Sequence, residues 1–205
     1  MNILSVAYSI INKYEESLNH SLTHLKLQKL LYYSYVWSLI DGKKLFNESF
    51  KKWKFGPVNP EIYDYFKHYH DGDIPSNHYI SGNLSQSEST LIEFIIYSYG
   101  KFNAITLSSM THQDEPWKNT SISETISDNS IIAFYSKLNF AKNFPIKKEN
   151  PYFPVETDLH YSFILDQPEQ FSSKPFFYKT QAEYLRLEQK SQEELKQKID
   201  EWFKI

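Results

Sequence analysis

The chain has 205 residues, 40 % of them hydrophobic and 23 % charged, which is enough for one domain of ordinary size with its own core. The net charge is −3, and among the 22 basic residues Arg186 is the single arginine. Because base readout and bidentate phosphate binding favour arginine, this composition disfavours specific nucleic-acid binding.

Cysteine is absent from the chain, which excludes disulfides, thiolate zinc sites and cysteine nucleophiles. The amino-terminal stretch has neither a basic n-region nor a small-residue cleavage site. No apolar run of the sequence approaches the roughly 18 residues of a membrane span. These features predict a cytoplasmic protein that has no membrane partner.

The first half of the chain is typical of packed helices. Residues 3–17 repeat apolar side chains every three or four positions, which predicts an amphipathic helix. Thr23 is a suitable N-cap for a second helix, which Gly42 ends. Apolar residues lie on every side of this second helix, so we expect it to be central. Residues 43–56 predict a short β or irregular segment.

Capping residues mark the later helix starts, namely Asn59 with Pro60, Ser85 with Glu88, Thr106 or a near neighbour, and Ser127 or Asp128. The prediction is therefore mainly α, with a compact domain of about six helices over residues 1–143. Residues 144–205 differ in character, because five of the nine prolines lie there, ahead of a charged helix from Thr180. We expect an extended connector and a C-terminal helix that docks on the domain or binds a partner.

The C-terminal helix has a narrow apolar stripe on a charged surface. Such a stripe completes a core or contacts a partner, and the heavy charge favours partial exposure and partner binding. The predicted partner-binding residues are Leu195, Ile199, Trp202 and Phe203, with Trp202 as the anchor.

Two clusters of polar residues contain residue types that are found in metal or catalytic sites. His68 and His70, followed by Asp71 and Asp73, resemble a metal cluster only superficially, since positions i and i+2 do not share a helix face. A solvated helix end explains them better, and no metal site is predicted.

His112, near Asp114 and Glu115, has the residue types of a general base. No serine or cysteine nucleophile motif and no glycine-rich phosphate loop accompanies it. A structural role at a helix junction is therefore favoured, and no catalytic residue or cofactor is predicted.

Three stretches occur in order, LTHLKLQKLLYYSYVWSLIDGKKLF, WKFGPVNPEIYDYFK and YGKFNAITLSSMTHQDEPWK. In order and spacing they resemble the Panacea domain of SocA-like and phage-associated GepA-type proteins. The resemblance covers residues 22–119, and its specificity lies in the ordered set LKLQKLLYY, W-x-x-GPV and TH-x-x-x-PW.

The resemblance implies an antitoxin that neutralises a cognate toxin protein by direct binding, without catalysis. It also leaves open a proteolytic adaptor that delivers the toxin to an AAA+ protease. An enzyme using His112 with Asp114 or Glu115 is the rival from another class, and a DNA-binding autoregulator is disfavoured by the single arginine. The family-motif positions, mostly framework candidates, are Lys29, Tyr32, Tyr33, Trp53, Gly56, Pro57, Val58, His112, Pro116 and Trp117.

Overall fold

The computed structural model describes residues 2–76, 84–147, 149–156 and 177–202, and for residues 191 and 192 and from residue 194 onward it describes the backbone alone. The helices are α1 (Ile3–Leu18), α2 (His24–Ile40), α3 (Pro60–Phe66), α4 (Gln86–Tyr99), α5 (Ala104–Gln113), α6 (Glu115–Lys118), α7 (Asp128–Tyr135) and α8 (Gln181–Trp202). The strands are β1 (Leu22–Thr23), β2 (Lys51–Trp53), β3 (Gly56–Val58) and β4 (Asp73–Ile74). Strand β1 pairs with β4 and β2 with β3, both antiparallel, and the predicted mainly α class is confirmed.

Helix α2 occupies the centre of the protein, as its apolar composition predicts. It packs against α1, α4, α5 and α7 and against strand β3. From Leu27 to Ser38 every one of its side chains is buried, including Lys29. The Thr23 hydroxyl accepts a hydrogen bond from the Lys26 amide at the start of the helix, which confirms Thr23 as N-cap.

Aromatic side chains hold α2 to its neighbours. The Trp37 indole nitrogen donates a hydrogen bond to the Tyr99 hydroxyl of α4 at 2.9 Å. Tyr33, one turn earlier, stacks on the same Tyr99 ring with the centroids 4.1 Å apart. Since the indole N–H finds its acceptor inside the core, Trp37 contributes apolar area without an unpaired donor.

Most of the predicted helix starts are confirmed, because they depend on local capping. The Asn59 side chain accepts from the Ile62 amide, and Ser85 and Glu88 form a reciprocal capping box. The start predicted at Thr106 or a near neighbour lies at Ala104, because the Asn103 side chain caps α5 by accepting a hydrogen bond from the Thr106 amide at 2.8 Å.

The segment after α2 contains a β-hairpin. The strand predicted within residues 43–56 is β2, but the sequence did not predict that Gly56-Pro57-Val58 forms its partner strand. Pairing puts Trp53 opposite Gly56 and Lys52 opposite Pro57, so Lys54 and Phe55 make the turn. Proline is compatible with this position because a strand at a sheet edge needs no second row of N–H donors.

The chain beyond residue 143 contacts the helical core. The ring of Phe144 stacks on Trp37 with the centroids 5.3 Å apart, and Tyr152 is buried. Lys101 binds the Glu188 carboxylate of α8 at 2.6 Å. The division of the chain into residues 1–143 and 144–205 stays a prediction.

Replacing Trp37 with Phe tests the aromatic core. The variant leaves a cavity and takes the donor away from the Tyr99 hydroxyl, so we expect the free energy of unfolding to fall by about 2–3 kcal/mol. Urea denaturation measures this change. Ile132→Ala is the matched control, because that side chain is exposed on α7 and should shift stability by no more than about 0.5 kcal/mol. Equal effects of the two variants would contradict the assignment of Trp37 to the core.

Candidate functional site

The family-motif residues Lys29, Gly56 and Pro57 meet between α2 and the β-hairpin. The Lys29 side chain is fully buried, and its ammonium donates to the Pro57 carbonyl at 2.9 Å. Among the described residues no carboxylate lies within ion-pair distance of it. Burial without a counter-ion lowers the pKa of Lys29 to about 7. The amine therefore loses its proton far more readily than an exposed lysine does.

Gly56 is required by the close approach of this lysine. Its φ is +101°, in the region that glycine adopts most readily. A Cβ atom at Gly56 would lie 2.7 Å from Lys29 Nζ and 2.7 Å from Thr111 Oγ1. Backbone conformation and space together exclude a larger residue, which explains the glycine of the GPV motif in physical terms.

Gln28 fixes the other end of the hairpin, and sequence reasoning missed this role. Its side-chain oxygen accepts the Asn59 amide at 2.9 Å, and its side-chain nitrogen donates to the Asn59 carbonyl at 3.2 Å. Asn59 in turn donates through its own side chain to the Ser49 carbonyl at 2.9 Å. The sequence signal that could have indicated this role is the stretch LKLQKLLYY. It belongs to a buried helix and yet contains two adjacent polar residues, Gln28 and Lys29.

His112 and Trp117 form a junction beside the hairpin. Their ring centroids are 4.1 Å apart, and Lys52 Nζ lies 4.2 Å from the centroid of the Trp117 ring. Burial lowers the pKa of His112, and the positive charge of Lys29 lowers it further. His112 is thus a neutral side chain at neutral pH that joins the end of α5 to α6.

The histidine and the carboxylates considered for catalysis do not come together. The Asp114 carboxylate accepts a hydrogen bond from the Tyr135 hydroxyl and lines a separate cavity of about 210 Å³ with Trp37. Burial raises the pKa of Asp114 to about 6. In the described part of the chain no hydrogen bond joins His112 to Asp114 or to Glu115. The geometry of a His–carboxylate base is therefore not assembled.

The remaining motif positions are divided between the core and the surface. Tyr32 packs edge-on against Phe50 with the centroids 5.2 Å apart, and Pro116 is buried at the start of α6. Trp53 and Val58 instead reach an open groove on the outer side of the hairpin.

This groove, which we call the hairpin groove, has a volume of about 410 Å³. It is lined by His24, Leu25, Gln28, Trp53, Lys54, Phe55, Val58, Tyr63 and His70. The Trp53 and Tyr63 rings meet edge to face at 4.8 Å, and the Phe55 side chain is 59 % exposed. Exposed rings around a concave surface are typical of protein-binding sites.

Three other expectations concern regions or sites outside this groove. The predicted partner-binding side chains of Leu195, Ile199 and Trp202 lie outside the described residues, and so does Phe203. Within residues 2–76, 84–147, 149–156 and 177–202 no three histidine or acidic side chains are placed to hold a metal ion. None of the helices in those ranges combines the length and apolar character needed to span a membrane.

The fold and motif site define a helical domain that is closed by a hairpin over a buried lysine. Residues 27–118 match the family model described as Antitoxin SocA-like, Panacea domain. This segment makes up less than half of the chain, and over it the match confirms the resemblance to the Panacea domain seen in the sequence.

One curated relative matches part of the same region. Over 63 residues the chain is 41 % identical to Antitoxin SocA of Caulobacter vibrioides (strain NA1000 / CB15N), a stretch that makes up 30 % of this chain and 33 % of the relative. The chain therefore spans about a third of the length of the curated relative it matches. No solved structure matches this chain.

Replacing Lys29 with Met tests whether the buried amine titrates near neutral pH. Folding lowers the pKa of Lys29 from 10.5 to about 7, so between these values the unfolded chain binds more protons than the folded chain. Stability then rises with pH across that window, and Met removes this dependence. We expect the free energy of unfolding of wild type to rise, relative to that of Lys29→Met, by up to about 1.4 kcal/mol per pH unit.

Urea denaturation at a series of pH values measures this difference. Lys137→Met is the control, because Lys137 is exposed and its replacement should leave a curve parallel to that of wild type. Parallel curves for Lys29→Met as well would show that Lys29 keeps an ordinary pKa.

Proposed function

We propose that this protein is an antitoxin that silences a cognate toxin protein by binding it directly. The observation that carries the proposal is the match of residues 27–118 to the SocA-like Panacea domain, together with a relative named Antitoxin SocA. The matched segment contains both the buried framework of the motif and the hairpin groove on its outer side.

The placement of the motif residues supports binding rather than catalysis. Lys29 is enclosed beneath the hairpin, and His112 packs against Trp117 instead of being paired with a carboxylate. The exposed side chains of the same region include the aromatic rings of Phe55 and Tyr63. A rigid scaffold that presents exposed rings is suited to a protein partner, since such rings supply large contact area at low entropic cost.

Neutralisation by binding needs no chemistry on the antitoxin. A complex that covers the toxin's substrate site, or holds the toxin in an inactive shape, lowers the active toxin concentration by mass action. An interface of ordinary size, about 1,600 Å² in total, is sufficient for a stable complex. The carboxy-terminal residues Leu195, Ile199, Trp202 and Phe203 are proposed as a second contact, in addition to the Panacea domain.

Co-expression with the product of the adjacent gene tests this function. We expect that product to arrest growth alone, and this chain to restore growth and to co-purify with it in a fixed ratio. Lys137→Glu is the matched control, since it changes an exposed charge away from the hairpin and should rescue fully. Rescue without a complex would contradict direct binding. A fall in toxin level that depends on an AAA+ protease would identify the adaptor mechanism instead.

The double variant Trp202→Ala with Phe203→Ala tests the proposed second contact. Loss of two aromatic anchors should weaken the complex at least about tenfold while the melting temperature shifts by only a few degrees. Titration calorimetry and thermal unfolding give the two quantities. If the double variant neutralises the toxin as wild type does, the C-terminal helix is not a toxin contact.

A further inference from the structure

The hairpin groove combines an apolar floor with exposed aromatic edges. The centroids of the His24 and Tyr63 rings lie 5.2 Å apart, and the centroid of the Trp53 ring lies 4.8 Å from that of Tyr63. Phe55, at the tip of the hairpin, stands beside this opening with its ring mostly in solvent. A volume of about 410 Å³ is enough to receive a large apolar side chain of a partner.

The charge around this opening is basic. Lys51 and Lys54 are exposed on the hairpin, and the Lys54 ammonium lies 5.5 Å from the centre of the Phe55 ring. Among the described residues neither lysine has a carboxylate within ion-pair distance, whereas Lys13, Lys44, Lys67 and Lys101 each do. The hairpin therefore offers positive charge that the protein itself does not neutralise.

An apolar groove beside unneutralised lysines is complementary to an acidic chain with one apolar anchor. Carboxylates that flank the anchor would pair with Lys51 and Lys54, which speeds encounter and fixes the register of the bound segment. A nucleic-acid strand is a poorer fit, because the rings form the walls of a concave groove and no arginine lies on the hairpin.

We propose that the hairpin groove docks an acidic segment of the toxin, whose apolar anchor enters between Trp53, Phe55 and Tyr63. The inference rests on the proposed antitoxin function and names the part of the chain and the partner chemistry that serve it. The buried framework beneath, with Lys29 donating to the Pro57 carbonyl, anchors the backbone of the hairpin whose residues line the groove.

Two variants separate the apolar and charged parts of this site. The probe is the product of the adjacent gene, titrated by biolayer interferometry at low and high salt. Phe55→Ala should raise the dissociation constant at least about tenfold. Lys51→Glu with Lys54→Glu should slow association about tenfold at low salt and remove its salt dependence.

The matched controls are Ile132→Ala and Lys137→Glu, which alter an exposed apolar side chain and an exposed lysine elsewhere. Both controls should bind within about twofold of wild type. All variants should keep the wild-type melting temperature, because the side chains replaced are exposed.

A photo-crosslinking residue placed at position 55 identifies the segment that is bound. Mass spectrometry of the cross-linked product should find a toxin peptide with net negative charge.

Wild-type affinity of the Phe55 and lysine variants, or a cross-link to a basic peptide, would overturn the inference while leaving the antitoxin function intact. Failure of the wild-type chain to bind or neutralise the product would remove the antitoxin function itself, and the docking inference with it. Binding of single-stranded DNA that Phe55→Ala abolishes would overturn the inference in favour of nucleic acid.

Discussion

The buried hydrogen bond from Lys29 to the Pro57 carbonyl is the constraint on which the arrangement of the domain depends. An amine enclosed in the core without a counter-ion is costly, and it is tolerated only where its surroundings hold it in place. Gly56 must lack a side chain for the lysine to reach that carbonyl, and Thr111 of α5 closes the space from the other side. This interaction joins α2 to the hairpin at the point where Thr111 of α5 packs against Gly56.

The same constraint shapes the outer surface. Gln28 holds the backbone of Asn59, so the hairpin is bonded to α2 at Pro57 within β3 and again directly after that strand. With the strand backbone immobilised from inside, Trp53 and Phe55 are presented to solvent in a fixed geometry. A preorganised surface loses less entropy when a partner binds, which favours affinity. The buried polar contacts of the hairpin therefore hold the backbone that carries its outer aromatic rings.

The sequence predicted what depends on neighbours along the chain. Thr23, Asn59 and Ser85 are predictable as caps because each side chain accepts a hydrogen bond from the amide three residues later. The contact of Lys29 with Pro57 spans 28 residues, and no local pattern encodes it. For the same reason no local pattern indicates that GPV forms a strand, although the pairing of Gly56 with Trp53 makes it one. The hairpin groove, assembled from four separate segments, could not be predicted at all.

The distribution of the motif within the structure bears on how partner choice can change. Lys29, Gly56 and Pro57 are buried, so a substitution there acts on the scaffold first. Lys54, Phe55 and Tyr63 lie in the same small region but are exposed, and their replacement costs little stability. Under the proposed function, the motif therefore preserves the platform, while the exposed positions beside it are free to be fitted to a different toxin. Specificity can then diverge without any change in the interactions that hold the domain together.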